Sequence, residues 1–181
     1  MREEPIYLVA YDPAWPKRFQ EERAELARVL SPWLAGSIEH IGSTAIPGLI
    51  AKPVIDIMAG VADLEGSLAA RATAATLGYV YFPYRPEVMH WFCKPSPAHR
   101  THHLHLVPIG SALWADRITF RDYLRSSPEA AAEYTGLKTS LAACYPFDRE
   151  AYTDGKSPFV AAILDCARAG RDLPVRGAPS V

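Results

Sequence analysis

The chain has 181 residues and a mass of 19.9 kDa, a size that suits one domain with a proper core. Lys and Arg total 19 against 20 Asp and Glu, so the formal charge is −1, without the basic excess that an extended nucleic-acid partner requires. Apolar residues at 49% and charged residues at 22% exclude disorder as the main state.

No apolar run approaches the ~20 residues that cross a bilayer. The opening Met1-Arg2-Glu3-Glu4-Pro5 is acidic and lacks an apolar signal core. Cys93, Cys144 and Cys166 form an odd, sparse set without CxxC spacing, as reduced cytoplasmic thiols do. The expected organisation is one domain over residues 1–171, followed by a flexible tail, 172–181, that carries Pro174, Gly177 and Pro179.

Asp12 is a good N-cap and Pro13 sits at the favoured first helical position. Phe19, Leu26, Val29, Leu30 and Trp33 then share one helical stripe, and Gly36 is the expected stop. Ser37–Ile41 reads as a short strand ending in a Gly-Ser turn. A proline-bounded loop spans Thr44 to Pro53. Val54–Ala59 is apolar at nearly every position, as in a strand buried on both faces. Asp63 caps an expected helix to about Leu77, with Gly78 as its stop. Tyr79–Phe82, Val88–Cys93 and His103–Val107 read as strands. Three helices follow: Ser111 to about Arg125, Pro128 to about Cys144, and Ser157 to about Ala169. This order implies an α/β (α+β) fold, a mixed sheet flanked by helices with a helical C-terminal part.

Three constellations carry candidate chemistry. Gly42-Ser43-Thr44 follows a strand, where a residue without a Cβ lets backbone N–H groups approach an anion. Ser43 and Thr44 add hydroxyls, and Lys52 is a candidate phosphate ligand. Asp56 interrupts an apolar strand, and a buried carboxylate needs a metal or a hydrogen-bond donor. In the second constellation, His103 and His105 share a strand face by period two, while Leu104 and Leu106 face the other way. Such a pair suits a transition ion, phosphate recognition or acid–base work; hydrogen-bonded surface histidines are the plain alternative. Asp56 would make a third metal ligand and His40 a fourth; His99 and His102 lie just upstream. The third group is basic and aromatic: Arg117, Arg121, Arg125, Lys138 and Lys156, with Tyr134, Tyr145 and Tyr152. Beside an Asp/His pocket, Arg121 and Lys138 become candidate phosphate holders; alone, they read as a solvated helix face. Cys93 has no positioned base in the sequence.

Glu39-His40-Ile41-Gly42-Ser43-Thr44-Ala45-Ile46-Pro47-Gly48-Leu49, with Lys52-Pro53-Val54-Ile55-Asp56-Ile57, resembles the signature of the GrpB (UPF0157) family. Tyr11-Asp12-Pro13-Ala14-Trp15, His103–Val107, Phe120–Arg125 and Leu137-Lys138 agree, so the likeness spans roughly residues 7 to 168. That family also occurs fused behind bacterial dephospho-CoA kinases. The resemblance implies a nucleotidyltransferase-like, polymerase β-type core. That superfamily's pattern is Gly-Ser or Gly-Gly on a turn, then an acid-x-acid pair, then a third acid on a later strand, with acids holding Mg²⁺. Here Gly42-Ser43 and Asp56 fit, Met58 falls at the second acid, and the His103/His105 strand corresponds to the third. Imidazoles in place of carboxylates favour Zn²⁺, Mn²⁺ or Ni²⁺ over Mg²⁺.

Two functions follow. One is an enzyme in which Asp56, His103 and His105 hold a divalent metal and act in catalysis. Gly42, Ser43, Thr44, Lys52, Arg121 and Lys138 would then bind a nucleotide, ATP or another NTP, or a different phosphorylated small molecule. Its reaction is nucleotidyl or phosphoryl transfer, or ATP-dependent carboxylate activation. The other is a non-catalytic nucleotide- or anion-binding module that lost the two-metal geometry. The expected partner in either case is a small molecule, not a membrane, and the sequence leaves the oligomeric state open.

Overall fold

Central strands buried on both faces along most of their length build a five-stranded mixed sheet in the computed structural model, which describes residues 5–171. The expected tail, 172–181, lies outside the described residues. The strands are β1 (Leu34–Ile41), β2 (Ile55–Val61), β3 (Val80–Phe82), β4 (His90–Pro95) and β5 (Arg100–Pro108), in the spatial order β1-β2-β5-β4-β3. Only β2 and β5 run parallel; the other neighbours are antiparallel.

Ile55, Ile57, Ala59, Leu104 and Leu106 line one sheet face. They pack under helices α1 (Trp15–Leu30) and α2 (Ala70–Ala75) with Trp15, Phe19, Leu26 and Leu30. Each of the four α1 side chains contributes about 1.5–3 kcal/mol on burial. The opposite face carries Ile41, Met58, Trp91, Cys93 and Val107, covered by α3 (Ala112–Ser126) through Leu113, Trp114 and Ile118. A third cluster joins Ile46 and Leu49 of the loop after β1 to α3, α4 (Pro128–Cys144) and α6 (Ser157–Arg168). No helix among the described residues is long and apolar enough to cross a membrane.

Element ends depart from the expectations for identifiable reasons. The Asp12 side chain accepts from Ala14 N at 2.8 Å and closes a turn, so α1 begins at Trp15. It stops at Leu30, not at Gly36, because Pro32 lacks the N–H that continues the ladder. Gly36 lies inside β1 instead, where a Cβ would press Ile109 at 2.7 Å. After Asp63 the chain makes turns rather than a long helix. Asp63 Oδ1 accepts from Gly66 N at 2.6 Å and its carbonyl accepts from Ser67 Oγ at 2.7 Å, which leaves α2 only six residues. One helix was not anticipated, α5 (Arg149–Asp154), capped by Asp148 on Ala151 N at 2.9 Å.

Candidate functional site

The site starts from strand register. Asp56 pairs with Ile41 of β1 on one side and with His103 of β5 on the other. The two-residue period therefore puts Asp56, Met58, His103 and His105 on the face that α3 covers. Asp56 Oδ1 lies 2.8 Å from His103 Nδ1 and 3.9 Å from His105 Nε2. Gly42 follows directly after β1 with φ 70° and ψ −174°, a region that essentially only glycine adopts. A Cβ there would lie 2.9 Å from Asp56 Cγ. The glycine thus makes room first for the Asp56 carboxylate, where the sequence suggested room for an incoming anion.

Protonation follows from this geometry. Burial pushes the Asp56 carboxyl upward, but the hydrogen bond from His103 and the nearness of both imidazoles outweigh it and hold it well below the usual range. Burial, aided by the charge of Arg117, lowers His105 to about 4 against the pull of Asp56. An ionised carboxylate beside a neutral imidazole is the state in which these groups bind a metal. Nε2 of both His103 and His105 is buried with no hydrogen-bond partner. One ligand atom from each of the three residues lies within 4.8 Å of the others. Ligands around a tetrahedral ion with ~2.0 Å bonds stand roughly 3.3 Å apart, so small side-chain rotations would close the set. One oxygen and two nitrogens suit Zn²⁺ or Mn²⁺ and leave coordination open for substrate.

Cations surround this centre. Lys138, 2% exposed, donates from Nζ to Ser43 Oγ at 3.2 Å and to the Ile50 carbonyl, with the Tyr134 ring 4.8 Å away. Burial, with the charge of Lys156, pushes Lys138 down to about 7. Lys156 and Lys52 flank the Tyr152 ring at 4.4 and 4.9 Å. Burial and the charges of Lys52 and Arg117 lower Lys156 to about 8, opposed by Asp56. Burial also lowers Arg117, again opposed by Asp56, with Arg85 adding repulsion. Burial raises the Tyr134 phenol, whose electrostatic neighbours include Ser43, Asp56 and Arg117.

Other candidates lie elsewhere. The Thr44 hydroxyl donates to the Val54 carbonyl at 3.1 Å and meets His40 Nε2 at 3.0 Å, at 1% exposure. It braces the loop rather than pointing at Asp56. His40 stacks on Phe19 of α1 at 4.6 Å, on the face opposite Asp56, and so cannot be a fourth ligand. His102 likewise faces α1, near Glu22 and Lys94. Arg121 binds Glu39 at 2.6 Å, Asp122 at 2.7 Å and the His40 carbonyl at 3.1 Å. It lines a separate cavity of about 380 Å³ with Arg125, Glu39 and Arg23. Arg117, one helical turn before Arg121, approaches Asp56 instead. The sequence named both arginines; only the packing of α3 decides between them. Tyr145 is exposed, and the Cys93 thiol is buried and raised by that burial.

A mixed five-stranded sheet flanked by helices, with one carboxylate and two imidazoles on adjacent parallel strands, defines the class of domain. The chain belongs to the GrpB family, whose model, described as GrpB protein, matches residues 5–166. It is 41% identical over 175 residues to a UPF0157 protein of Pseudomonas aeruginosa, covering 94% of this chain and 71% of that one. It is 35% identical to the glutamate-rich protein GrpB of Alkalihalophilus pseudofirmus, covering 88% of this chain and 94% of the relative. A protein of Mycolicibacterium paratuberculosis named dephospho-CoA kinase is 28% identical over 86% of this chain and 44% of its own length. The crystal structure of conserved protein GrpB from Enterococcus faecalis superposes with a TM-score of 0.81 at 31% identity, covering 91% of this chain and 98% of that one.

Proposed function

We propose that the chain is a nucleotidyltransferase-like enzyme acting on a nucleotide or another phosphorylated small molecule in the cytoplasm, with one divalent ion at Asp56, His103 and His105. One observation carries the reading: Lys138 donates to Ser43 in the turn where Gly42 adjoins Asp56, and Lys156 and Arg117 are buried within electrostatic reach of the same carboxylate. A multiply charged anion would offset the cost of burying these cations. Phosphate groups meet the requirement, and the Ser43 hydroxyl and Lys138 ammonium stand together to receive them. Lys156 and Arg117 then neutralise charge that builds on the transferred group. Tyr134 and Tyr152 keep the lysines in a partly dry setting, where each contact is stronger than in water. When bound, the ion supplies Lewis-acid polarisation of a phosphoryl oxygen. Asp56 and the two imidazoles hold that position. The reaction class is nucleotidyl or phosphoryl transfer, or ATP-dependent carboxylate activation.

Met58 favours a second reading. At the position of a second acid it is fully buried among Ile41, Met89 and Trp91. One carboxylate supports one ion rather than a two-metal clamp. That pattern fits a module that binds the phosphorylated ligand and turns nothing over. Release of pyrophosphate or phosphate from each NTP with Mg²⁺, Mn²⁺ or Zn²⁺ separates the two. Turnover that disappears in Asp56→Asn supports the enzyme. Tight NTP binding without release supports the module. Absence of binding of NTPs and of inorganic phosphate alike overturns both.

A further inference from the structure

The geometry points to Ser43 as a covalent nucleophile, with Lys138 as the general base that takes its proton. The substrate of this step rests on the function proposed above; the activated serine does not. β1 ends at Ile41, Gly42 turns the chain at φ 70°, and Ser43 opens a single 3-10 turn, Ser43–Ala45. The Gly42 carbonyl accepts from Ala45 N and the Ser43 carbonyl from Ile46 N, both at 3.2 Å, so the serine stands on a fixed corner. It is half-buried, and it follows the glycine that adjoins Asp56. A sharp strand-to-turn corner presents a hydroxyl to a site instead of packing it away. Lys138 reaches the same corner from α4 at 2% exposure, with Nζ 3.2 Å from Ser43 Oγ.

A neutral lysine amine has two N–H donors and one lone pair. One N–H serves the Ile50 carbonyl, and the lone pair can accept from the serine hydroxyl. The groups that face Nζ are Ser43 and Ile50 from the loop after β1, Tyr134 of its own helix, and Lys156 at the start of α6. None of these is a carboxylate that would hold the ammonium, and burial with the charge of Lys156 lowers the lysine to about 7. A base is most effective with its value near the working pH. The chain also has a use for one. A second metal ion would stabilise the attacking oxygen in a two-metal site, but Met58 fills the second acid position, fully buried beside Ile41, Met89 and Trp91. In the first step Ser43 Oγ bonds to phosphorus, its proton passes to Lys138 Nζ, and the bond to the leaving pyrophosphate or nucleoside diphosphate breaks. The ammonium so formed stands beside the new phosphoester. In the second step an acceptor hydroxyl or water attacks phosphorus. Lys138 returns its proton to Ser43 Oγ as the Oγ–P bond breaks, and the acceptor's proton leaves to solvent.

The experiment is labelling of the full chain with diisopropyl fluorophosphate, read by intact mass and peptide mapping. This probe phosphorylates activated serines: the Oγ–P bond forms, the P–F bond breaks and fluoride leaves. Wild type, Ser43→Ala, Lys138→Arg and Lys138→Met are compared, with circular dichroism as the check on folding. One adduct is expected on wild type, mapped to Ser43, at a rate that rises with pH and is half-maximal at about 7. Ser43→Ala takes none. Both Lys138 variants slow labelling by about 100-fold or more, within the ~10²–10⁴-fold weight of a positioned base. Lys138→Arg keeps the charge, so its loss separates a base from a purely electrostatic role. Where a Lys138 variant does not fold, the wild-type pH profile decides. Absence of a Ser43 adduct overturns the inference, as does an unchanged rate in folded Lys138→Arg or a rate that does not vary with pH around neutrality. NTP turnover that persists in Ser43→Ala overturns the nucleophile and leaves the proposed function standing. A Ser43 adduct in a chain that binds neither NTPs nor inorganic phosphate overturns that function and leaves the nucleophile standing.

Discussion

A Cβ on Gly42 would lie 2.9 Å from Asp56 Cγ, so the glycine and the carboxylate adjoin in a space that only one side chain can fill. Gly42 also holds φ 70° and ψ −174°, which costs a non-glycine residue about 1–3 kcal/mol. Gly42→Ala should therefore lose stability of that order in urea denaturation, in place of leaving a fully stable protein that merely fails to bind anions. Part of the loss is the clash. In an Asp56→Ala background the same substitution should cost less, and the double-mutant cycle should be non-additive by 0.5 kcal/mol or more on the usual scale for touching residues, ~0.5–3 kcal/mol. Strict additivity would show that the glycine serves its turn alone.

The metal prediction concerns three residues and a control. Zn²⁺ or Mn²⁺ should bind in one equivalent, and His103→Ala or His105→Ala should weaken it by about 100-fold or more, beyond the 10–100-fold typical of losing a supporting partner. His99→Ala should matter little. It lies before β5, with its backbone N–H on Ser96 Oγ at 3.1 Å. Elemental analysis of chelator-free protein that finds no stoichiometric ion, together with a phosphate-occupied site, would move the assignment to the anion-binding module.

His40 predicts an acid limb of stability. Burial holds its folded value at about 4, below the ~6.5 of an unfolded histidine. Between those values the unfolded chain binds more protons, so stability falls as pH drops through that window. His40→Gln should flatten the limb while keeping a polar partner for Thr44. Because His105 is lowered to a similar value, part of the slope should survive the substitution. Denaturant midpoints measured from pH 7 to pH 4 check this, and an unchanged slope in His40→Gln would refute it.

Arg121 should prove structural. Its partners Glu39, Asp122 and the His40 carbonyl are all internal, and its side chain is about 10% exposed. Arg121→Gln leaves Glu39 short of its cation and should cost about 2–4 kcal/mol. Phosphate affinity of the folded fraction should stay within about twofold of wild type. A large loss of affinity at unchanged stability would return Arg121 to the ligand site.

Much of this arrangement was legible in the sequence because period-two alternation fixes faces. Asp56 in an apolar strand and His103/His105 two apart give the same face without any tertiary information, and β-strand pairing then places them together. The helices α3 and α4 were legible from Ser111 and Ser127 as caps and Pro128 as a start. What stayed hidden depends on long-range packing. Whether Arg117 or Arg121 faces Asp56 turns on how α3 lies on the sheet, since residues four apart share a helix face. Thr44 looked like a phosphate donor, and only the fold shows its hydroxyl spent on Val54 and His40. Pro32 was a readable stop for α1, outweighed by the apolar stripe that runs on to Trp33. Helix α5 is too short for periodicity, and its local signals are the Asp148 cap and Glu150 in the first turn.

Lys138 gives the most discriminating test, because one side chain should move two separate readouts. Burial holds its folded value at about 7, far below the ~10.4 of an unfolded lysine. Between those values the unfolded state binds more protons, so stability should rise with pH, by up to about 1.4 kcal/mol per pH unit for one proton. Lys156, lowered to about 8, joins only above that pH, which leaves the interval from 7 to 8 mainly to Lys138. Lys138→Met removes a buried charge and keeps a long apolar stem. It also deprives the Ile50 carbonyl of its donor, a loss of about 1–3 kcal/mol that offsets part of the relief. The variant should show a flatter stability profile between pH 7 and 8. It should also lose phosphate affinity at least tenfold, since Ser43 then has no ammonium beside it. A flattened profile with phosphate affinity intact would make Lys138 a strut between α4 and the loop after β1. An unchanged profile with affinity lost would mean that the ammonium stays charged through this range, held by groups other than those named here.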